Sequence, residues 1–175
     1  MVNTELTRLL HLPRLGQVGM VVKDMEKTMN YYRDTFGIRP WVVFEGEPVF
    51  AIERGENVKP TLKIGLSYIG NVQIELIQVL KGKTYHTDLL EKGEGLHHLG
   101  FMVKDLDKRL DACSRLGIDV IQKGRISSKG FTVDYAYLDT VKIGGVIFEF
   151  IQSRLGPIKL TMSPAKLKLA AALGL

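Results

Sequence analysis

The chain has a single cysteine, Cys113, among its 175 residues. One cysteine forms no internal disulfide, which fits a reducing, cytoplasmic compartment. No apolar run approaches the roughly 18–20 residues that span a bilayer, so no membrane partner is expected. Glu5 and Arg8 interrupt the first apolar stretch, so residues 1–12 do not read as a signal peptide. Acidic residues are missing from 153–175, which hold Arg154, Lys159, Lys166 and Lys168. Residues 15–152 carry 18 basic and 18 acidic side chains. The formal net charge of +5 is therefore a property of the termini. Gripping a phosphate backbone needs a concentrated basic face. The neutral body gives no sign of one, and no nucleic-acid partner is expected.

What the chain does have is an internal repeat. Gln17-Val-Gly-Met-Val-Val-Lys-Asp-Met-Glu-Lys27 aligns with His98-Leu-Gly-Phe-Met-Val-Lys-Asp-Leu-Asp-Lys108. Ile69-Gly-Asn-Val-Gln-Ile-Glu-Leu-Ile-Gln78 aligns with Ile143-Gly-Gly-Val-Ile-Phe-Glu-Phe-Ile-Gln152, identical at six of ten positions. Two matches in the same order indicate a duplicated module. The expected division is an N-terminal segment 1–12, module 1 at 13–80, a polar linker 81–94, module 2 at 95–153 and a basic tail 154–175.

Each module reads as β-α-β-β-β. The apolar segments 15–22 and 96–103 suit buried strands. Asp24 and Asp105 sit where helix N-caps belong, and Gly37 and Gly117 fit helix ends. Leu106, Leu110, Cys113 and Gly117 share one helix face, making Cys113 a small core residue. Strands are expected near 39–45, 48–53 with 62–68, and 71–79, and again near 119–125, 131–139 and 144–152. The predicted fold is α+β: two tandem βαβββ modules in a curved mixed sheet, helices on the outer face, a cup on the other. Ser163 and Pro164 open a short predicted helix over 163–173.

Gln17, Glu75, His98 and Glu149 interrupt apolar strands. The repeat relates Gln17 to His98 and Glu75 to Glu149, so they are two structural positions, each used twice. A strand glutamate taken alone reads as solvent-facing. Two at equivalent mid-strand points, flanked by Ile74, Leu76, Phe148 and Phe150, instead call for a shared cation. Three oxygens and one imidazole nitrogen suit one divalent metal ion: Zn, Co, Ni, Mn or Fe. His98 aligns with Gln17 and is expected to point inward. His97, its strand neighbour, is expected to point outward or to support the ligands from behind. His11 and His86 lie outside the repeated strands and are read as surface residues. Phe44, Phe50, Tyr135 and Tyr137 are candidates to line a substrate pocket, with core packing the competing duty for each and for Trp41. The basic stretches 81–83 and 123–129 read as solvated loops.

These motifs resemble the vicinal oxygen chelate superfamily over residues 13–153. The resemblance rests on Gln17-Val-Gly-Met-Val-Val-Lys-Asp, Val72-Gln-Ile-Glu-Leu-Ile-Gln78, Gly95-Leu-His-His-Leu-Gly-Phe-Met-Val-Lys-Asp105 and Gly145-Val-Ile-Phe-Glu-Phe-Ile-Gln152. It implies a small-molecule substrate and allows a homodimer. It also implies that a metal acts as a Lewis acid on two neighbouring substrate oxygens, while a carboxylate moves a proton beside a carbonyl. On that implication Glu149 is the main catalytic base and Glu75 a ligand that can act as second acid or base. Three readings follow: an epimerase or isomerase of the methylmalonyl-CoA epimerase kind, a glyoxalase I-type lyase, and a non-catalytic binding protein on the same fold. The Gln/Glu/His/Glu set matches a glyoxalase I pattern at all four positions. Gln17 and Glu75 depart from the usual epimerase set, and Gln17 stands where an extradiol dioxygenase has histidine.

Overall fold

A computed structural model describes residues 4–128, 131–160 and 163–172. In chain order the elements are α1 (Thr4–Leu9), β1 (Gln17–Val21), α2 (Met25–Phe36), β2 (Val42–Gly46), β3 (Phe50–Glu53), β4 (Glu56–Asn57), β5 (Thr61–Ile69) and β6 (Val72–Lys81). They continue with α3 (Tyr85–Leu90), β7 (Gly95–Met102), α4 (Leu106–Arg115), β8 (Val120–Ser128), β9 (Phe131–Leu138), α5 (Val141–Gly144), β10 (Ile147–Leu155), β11 (Ile158–Leu160) and α6 (Pro164–Ala172). The strands form one mixed sheet in the order β2-β5-β6-β1-β7-β10-β9-β8-β3-β4, with β11 beside β10. This is the predicted α+β architecture. The orders β1-β6-β5-β2 and β7-β10-β9-β8 repeat one another, and β1 and β7 meet antiparallel at the centre.

Alternation along the strands sorts side chains between two faces. Leu76 on β6 packs outward with Val22 and Met25 of the α2 layer. Phe150 on β10 packs with Leu106 and Cys113 of α4. The residues between them, Glu75 and Glu149, therefore face the concave side. Cys113 is fully buried, as a small core residue should be. Asp24 caps α2 through Lys27 N (3.0 Å), and Gly37 ends that helix at φ 68°, where glycine is cheapest. Asp105 departs from expectation. Its carboxylate pairs with Arg109 (3.1 Å) and makes no cap bond.

Three strand expectations change. Residues 50–53 do not join the 62–68 run; β3 pairs with β8 of the second repeat, at the far end of the sheet. Strand propensity does not name a partner. The consequence is large. Gly46 on the edge strand β2 and Phe50 on β3, one strand in from the opposite edge, are four residue steps apart, a reach of at most about 14 Å. The sheet must curl until its ends nearly meet, and that curl makes the cup. Residues 141–144 are helical, so the last strand starts at Ile147. The strand expected near 119–125 runs on to Ser128, so residues 123–128 of the basic stretch read as a loop lie within β8, and residue 129 lies outside the described residues. In the polar stretch 81–94, α3 folds against β1 and β6. After β11, α6 lies against β2 and β5 with Leu167 buried, so the tail of the second repeat covers part of the first.

Candidate metal centre

The four central strands bring the polar quartet together. Gly19 on β1 is in register with Glu75 on β6 and with His98 on β7. Gly100 on β7 is in register with Gln17 on β1 and with Glu149 on β10. Each glycine makes room for the other repeat's side chain. A Cβ on Gly19 would lie 2.0 Å from His98 Cε1, and one on Gly100 would lie 2.8 Å from Gln17 Oε1. The sequence signal was present: a glycine two residues after each of Gln17 and His98. Only the antiparallel pairing of β1 with β7 shows what the glycines clear space for.

His98 Nε2 is the meeting point. It lies 2.9 Å from Glu149 Oε2, 3.3 Å from Glu75 Oε2 and 3.2 Å from Gln17 Oε1. The side chains of His98 and Glu149 are 0% and 5% exposed, and that of Glu75 is 14% exposed. One N–H cannot satisfy three oxygens. Among the described residues Glu149 Oε2 has no hydrogen bond, despite its closeness to the imidazole. The oxygens are aimed as well as near. Gln17 donates its Nε2 to Gln73 Oε1 (2.8 Å), which leaves Gln17 Oε1 turned toward His98. Gln73 in turn donates to the Tyr68 hydroxyl (3.2 Å). The donor atoms of Glu75, His98 and Glu149 lie within 4.8 Å of one another. Crowded lone pairs, an orphaned carboxylate oxygen and a mixed N/O set fit a divalent cation.

Charge balance supports the same conclusion. Burial opposes a proton on His98, but Glu149 and Glu75 outweigh it and raise the imidazole pKa to about 10. Burial raises the Glu149 carboxyl above its usual range, with His98 pulling the other way. The two carboxylates thus favour a positive charge at His98 Nε2, the same preference a divalent cation would meet.

His97 lies closer to the site than simple alternation predicts. The β1–β7 register runs from Gly19–His98 to Met20–Leu96, so His97 is the extra residue of a β-bulge. The bulge turns its ring so that Nδ1 lies 2.8 Å from His98 Nδ1. A ligand histidine needs such a partner on its far nitrogen to fix its orientation. Burial holds the His97 pKa well below its ordinary value, so it is neutral.

The cleft above the quartet is lined by Gln17, Glu75, Glu149, His86, Tyr135, Tyr137 and a set of aliphatic side chains from both repeats. Tyr135 and Tyr137, two of the four pocket candidates, both line this cleft. Phe44 lines an adjoining groove that shares Leu62, Ile64 and Ile126 with the cleft. Phe50 lines neither; it is 37% exposed beneath the Arg125 guanidinium. Trp41 packs against the α2 layer. His86, read as a surface residue, is fully buried and forms part of the cleft wall. A lone histidine in a polar stretch carries no sequence signal of burial; the packing of α3 supplies it.

Residues 16–137 match the sequence profile of the glyoxalase/bleomycin resistance protein/dioxygenase superfamily. The chain belongs to that superfamily. It is 25% identical over 145 residues to the uncharacterised protein YqjC of Bacillus subtilis, covering 81% of this chain and 93% of that one. It is 26% identical over 146 residues to mitochondrial methylmalonyl-CoA epimerase of Bos taurus, covering 82% and 76%. Among solved structures, methylmalonyl-CoA epimerase from Mycobacterium tuberculosis superposes with a TM-score of 0.58 at 21% identity, covering 86% of this chain and 91% of that one. Hypothetical protein BH1468 of Bacillus halodurans gives 0.57 at 23% identity, covering 79% and 92%. These likenesses establish the fold. No helix among the described residues is long and apolar enough to cross a membrane.

Proposed function

We propose that this protein is a metal-dependent enzyme that moves a proton at a carbon beside a carbonyl group, in the manner of an epimerase or isomerase. The observation that carries the reading is the convergence of Gln17 Oε1, Glu75 Oε2 and Glu149 Oε2 on His98 Nε2. Gln17, Glu75, His98 and Glu149 would hold a divalent ion, Zn, Co, Ni, Mn or Fe. When bound, it would supply the Lewis acidity that makes a C–H beside the substrate carbonyl more acidic.

The protein's own residues do the rest. Glu149, which lines the cleft beside Gln17 and Glu75, takes the proton. Glu75, related to it by the repeat and across the β1–β7 pair, returns one. Acid–base assistance of this kind contributes roughly 10²–10⁴ in rate. The aliphatic cleft wall excludes water and receives the small acyl or keto part of the substrate. Similarity to methylmalonyl-CoA epimerases supports this reaction class.

A second reading, a glyoxalase I-type lyase, is favoured by the presence of Glu75 and Gln17 at their two positions. The adjoining groove also weighs on substrate. Its rim carries the exposed Glu45 and Glu47, which repel a polyanionic arm entering by that route. The two enzyme readings share one first test. Zinc, cobalt, nickel, manganese and iron(II) are titrated into chelator-stripped protein. The metal-loaded protein is then assayed for solvent deuterium uptake into methylmalonyl-CoA and for consumption of the methylglyoxal–glutathione adduct. Metal binding with either activity supports the proposal. Failure to bind any of the five metals refutes it and leaves a binding protein on the same fold.

A further inference from the structure

The polar groups behind the cleft that the proposed chemistry leaves unused form one directed chain. Glu53 on β3 accepts the Tyr85 backbone N–H at Oε2 (2.8 Å), so that oxygen is an acceptor. Gln122 Nε2 reaches the same oxygen (3.2 Å) and Thr84 Oγ1 (3.0 Å). Turning the amide over would set its oxygen against the Glu53 carboxylate, so the amide N–H faces Glu53 and Gln122 Oε1 is left without a partner among the described residues. Thr84 donates its one hydroxyl proton to Glu53 Oε2 (3.1 Å).

The remaining assignments follow in sequence. Thr84 Oγ1 lies 3.3 Å from His86 Nδ1. With the threonine proton committed to Glu53, this contact is a hydrogen bond only if His86 carries its proton on Nδ1. Burial drives the His86 pKa down to about 3, so the ring is neutral and holds one proton. Its Nε2 is then a bare lone pair, 3.3 Å from the Tyr137 hydroxyl. That contact forms only if Tyr137 donates. Stacking of His86 on His97, with centroids 4.6 Å apart and planes at 24°, resists exchange of the two nitrogens by ring rotation.

We propose that Glu53, Thr84 and His86 are positioning residues that hold the Tyr137 hydroxyl with its proton turned away from the cleft, so that Tyr137 meets a bound substrate as a hydrogen-bond acceptor. Tyr137 and His86 both line the cleft beside Gln17, Glu75 and Glu149. The inference rests on the proposal that this cleft is the substrate site. A substrate group that offers an O–H or N–H is accepted at Tyr137. One that presents only a carboxylate or carbonyl oxygen there meets lone pairs and is disfavoured. The chain also removes Tyr137 as a donor to charge developing on a substrate oxygen.

The test begins on the unliganded full-length protein, labelled with ¹⁵N and observed through two-bond histidine ¹⁵N–¹H correlations at pH 7. The expected result is a His86 ring protonated on Nδ1 and bare on Nε2. Thr84→Val removes the Nδ1 acceptor and moves the proton to Nε2; Tyr137→Phe leaves it on Nδ1. A wild-type His86 protonated on Nε2 overturns the proposal, whatever the variants do. The second arm titrates L-lactate and propionate into zinc-loaded protein by calorimetry. The lactate-to-propionate affinity ratio should fall about 2–10-fold in Tyr137→Phe, the loss of one neutral hydrogen bond. An unchanged ratio overturns the acceptor role. Where neither probe binds, the tautomer decides the orientation. Failure of zinc to bind refutes the metal reading and leaves the tautomer result standing.

Discussion

Gly19→Ala is the most discriminating small perturbation of the site. One methyl group on β1 would sit 2.0 Å from His98 Cε1, 2.2 Å from Nε2 and 2.5 Å from Nδ1. Nonbonded carbons are comfortable at roughly 3.5–4.0 Å, so the ring must retreat by about 1.5 Å. It has nowhere to go, because His97 Nδ1 stands 2.8 Å behind it and the Tyr137 ring lies 5.2 Å away, centroid to centroid. Propensity alone favours alanine over glycine in a strand by about 0.5–1 kcal/mol. Overpacking costs about 1–3 kcal/mol. The clash outweighs the gain, and the expected net destabilisation is about 0.5–2 kcal/mol. The effect on metal should be larger than the effect on folding, since displacing a ligand ring disturbs affinity by at least the roughly 10–100-fold typical of lost outer partners. Gly46→Ala is the control, because no atom lies within 4 Å of its added Cβ. The assays are urea denaturation and calorimetric zinc titration of the three proteins. Gly19→Ala protein that binds zinc with wild-type affinity would refute the placement of His98 at the centre.

Three further outcomes are expected. Asp24→Ala should cost about 0.5–2 kcal/mol by denaturant unfolding, because it deletes the bond to Lys27 N; Asp105→Ala should cost less, since only its pair with Arg109 is lost. Glu149→Gln should retain the fold and lose at least about 10²-fold in solvent deuterium exchange; near wild-type exchange with metal bound removes Glu149 from the base role. Stability should fall on acidification from about pH 6.5 toward pH 3. His86 has a folded-state pKa near 3 against about 6.5 unfolded, so the unfolded chain binds the extra proton in that window. Thermal melts through this range should show the decline, and His86→Gln should lessen it, leaving the share of His97, whose pKa burial also holds well below its ordinary value.

Sequence alone carried a good deal of this protein. The duplicated pattern from Gln17 and from His98 determined the βαβββ unit, because buried strands and amphipathic helices write their periods into the chain. Repeat symmetry singled out Gln17, Glu75, His98 and Glu149 as two positions used twice, although it took the packing of Leu76 and Phe150 against the helices to set the two glutamates on the concave face. Tertiary structure decided what local pattern cannot encode. The partner of β3 is β8, at the opposite end of the sheet, and this nonlocal pairing is what curls the sheet into a cup. A one-residue bulge brings His97 behind His98, against the alternation that adjacency predicts. The packing of α3 buries His86, and with it the chain from Glu53 to Tyr137. Period and composition are local properties of a sequence; register, bulges and the closing of one strand on a distant edge arise only when the whole chain is packed.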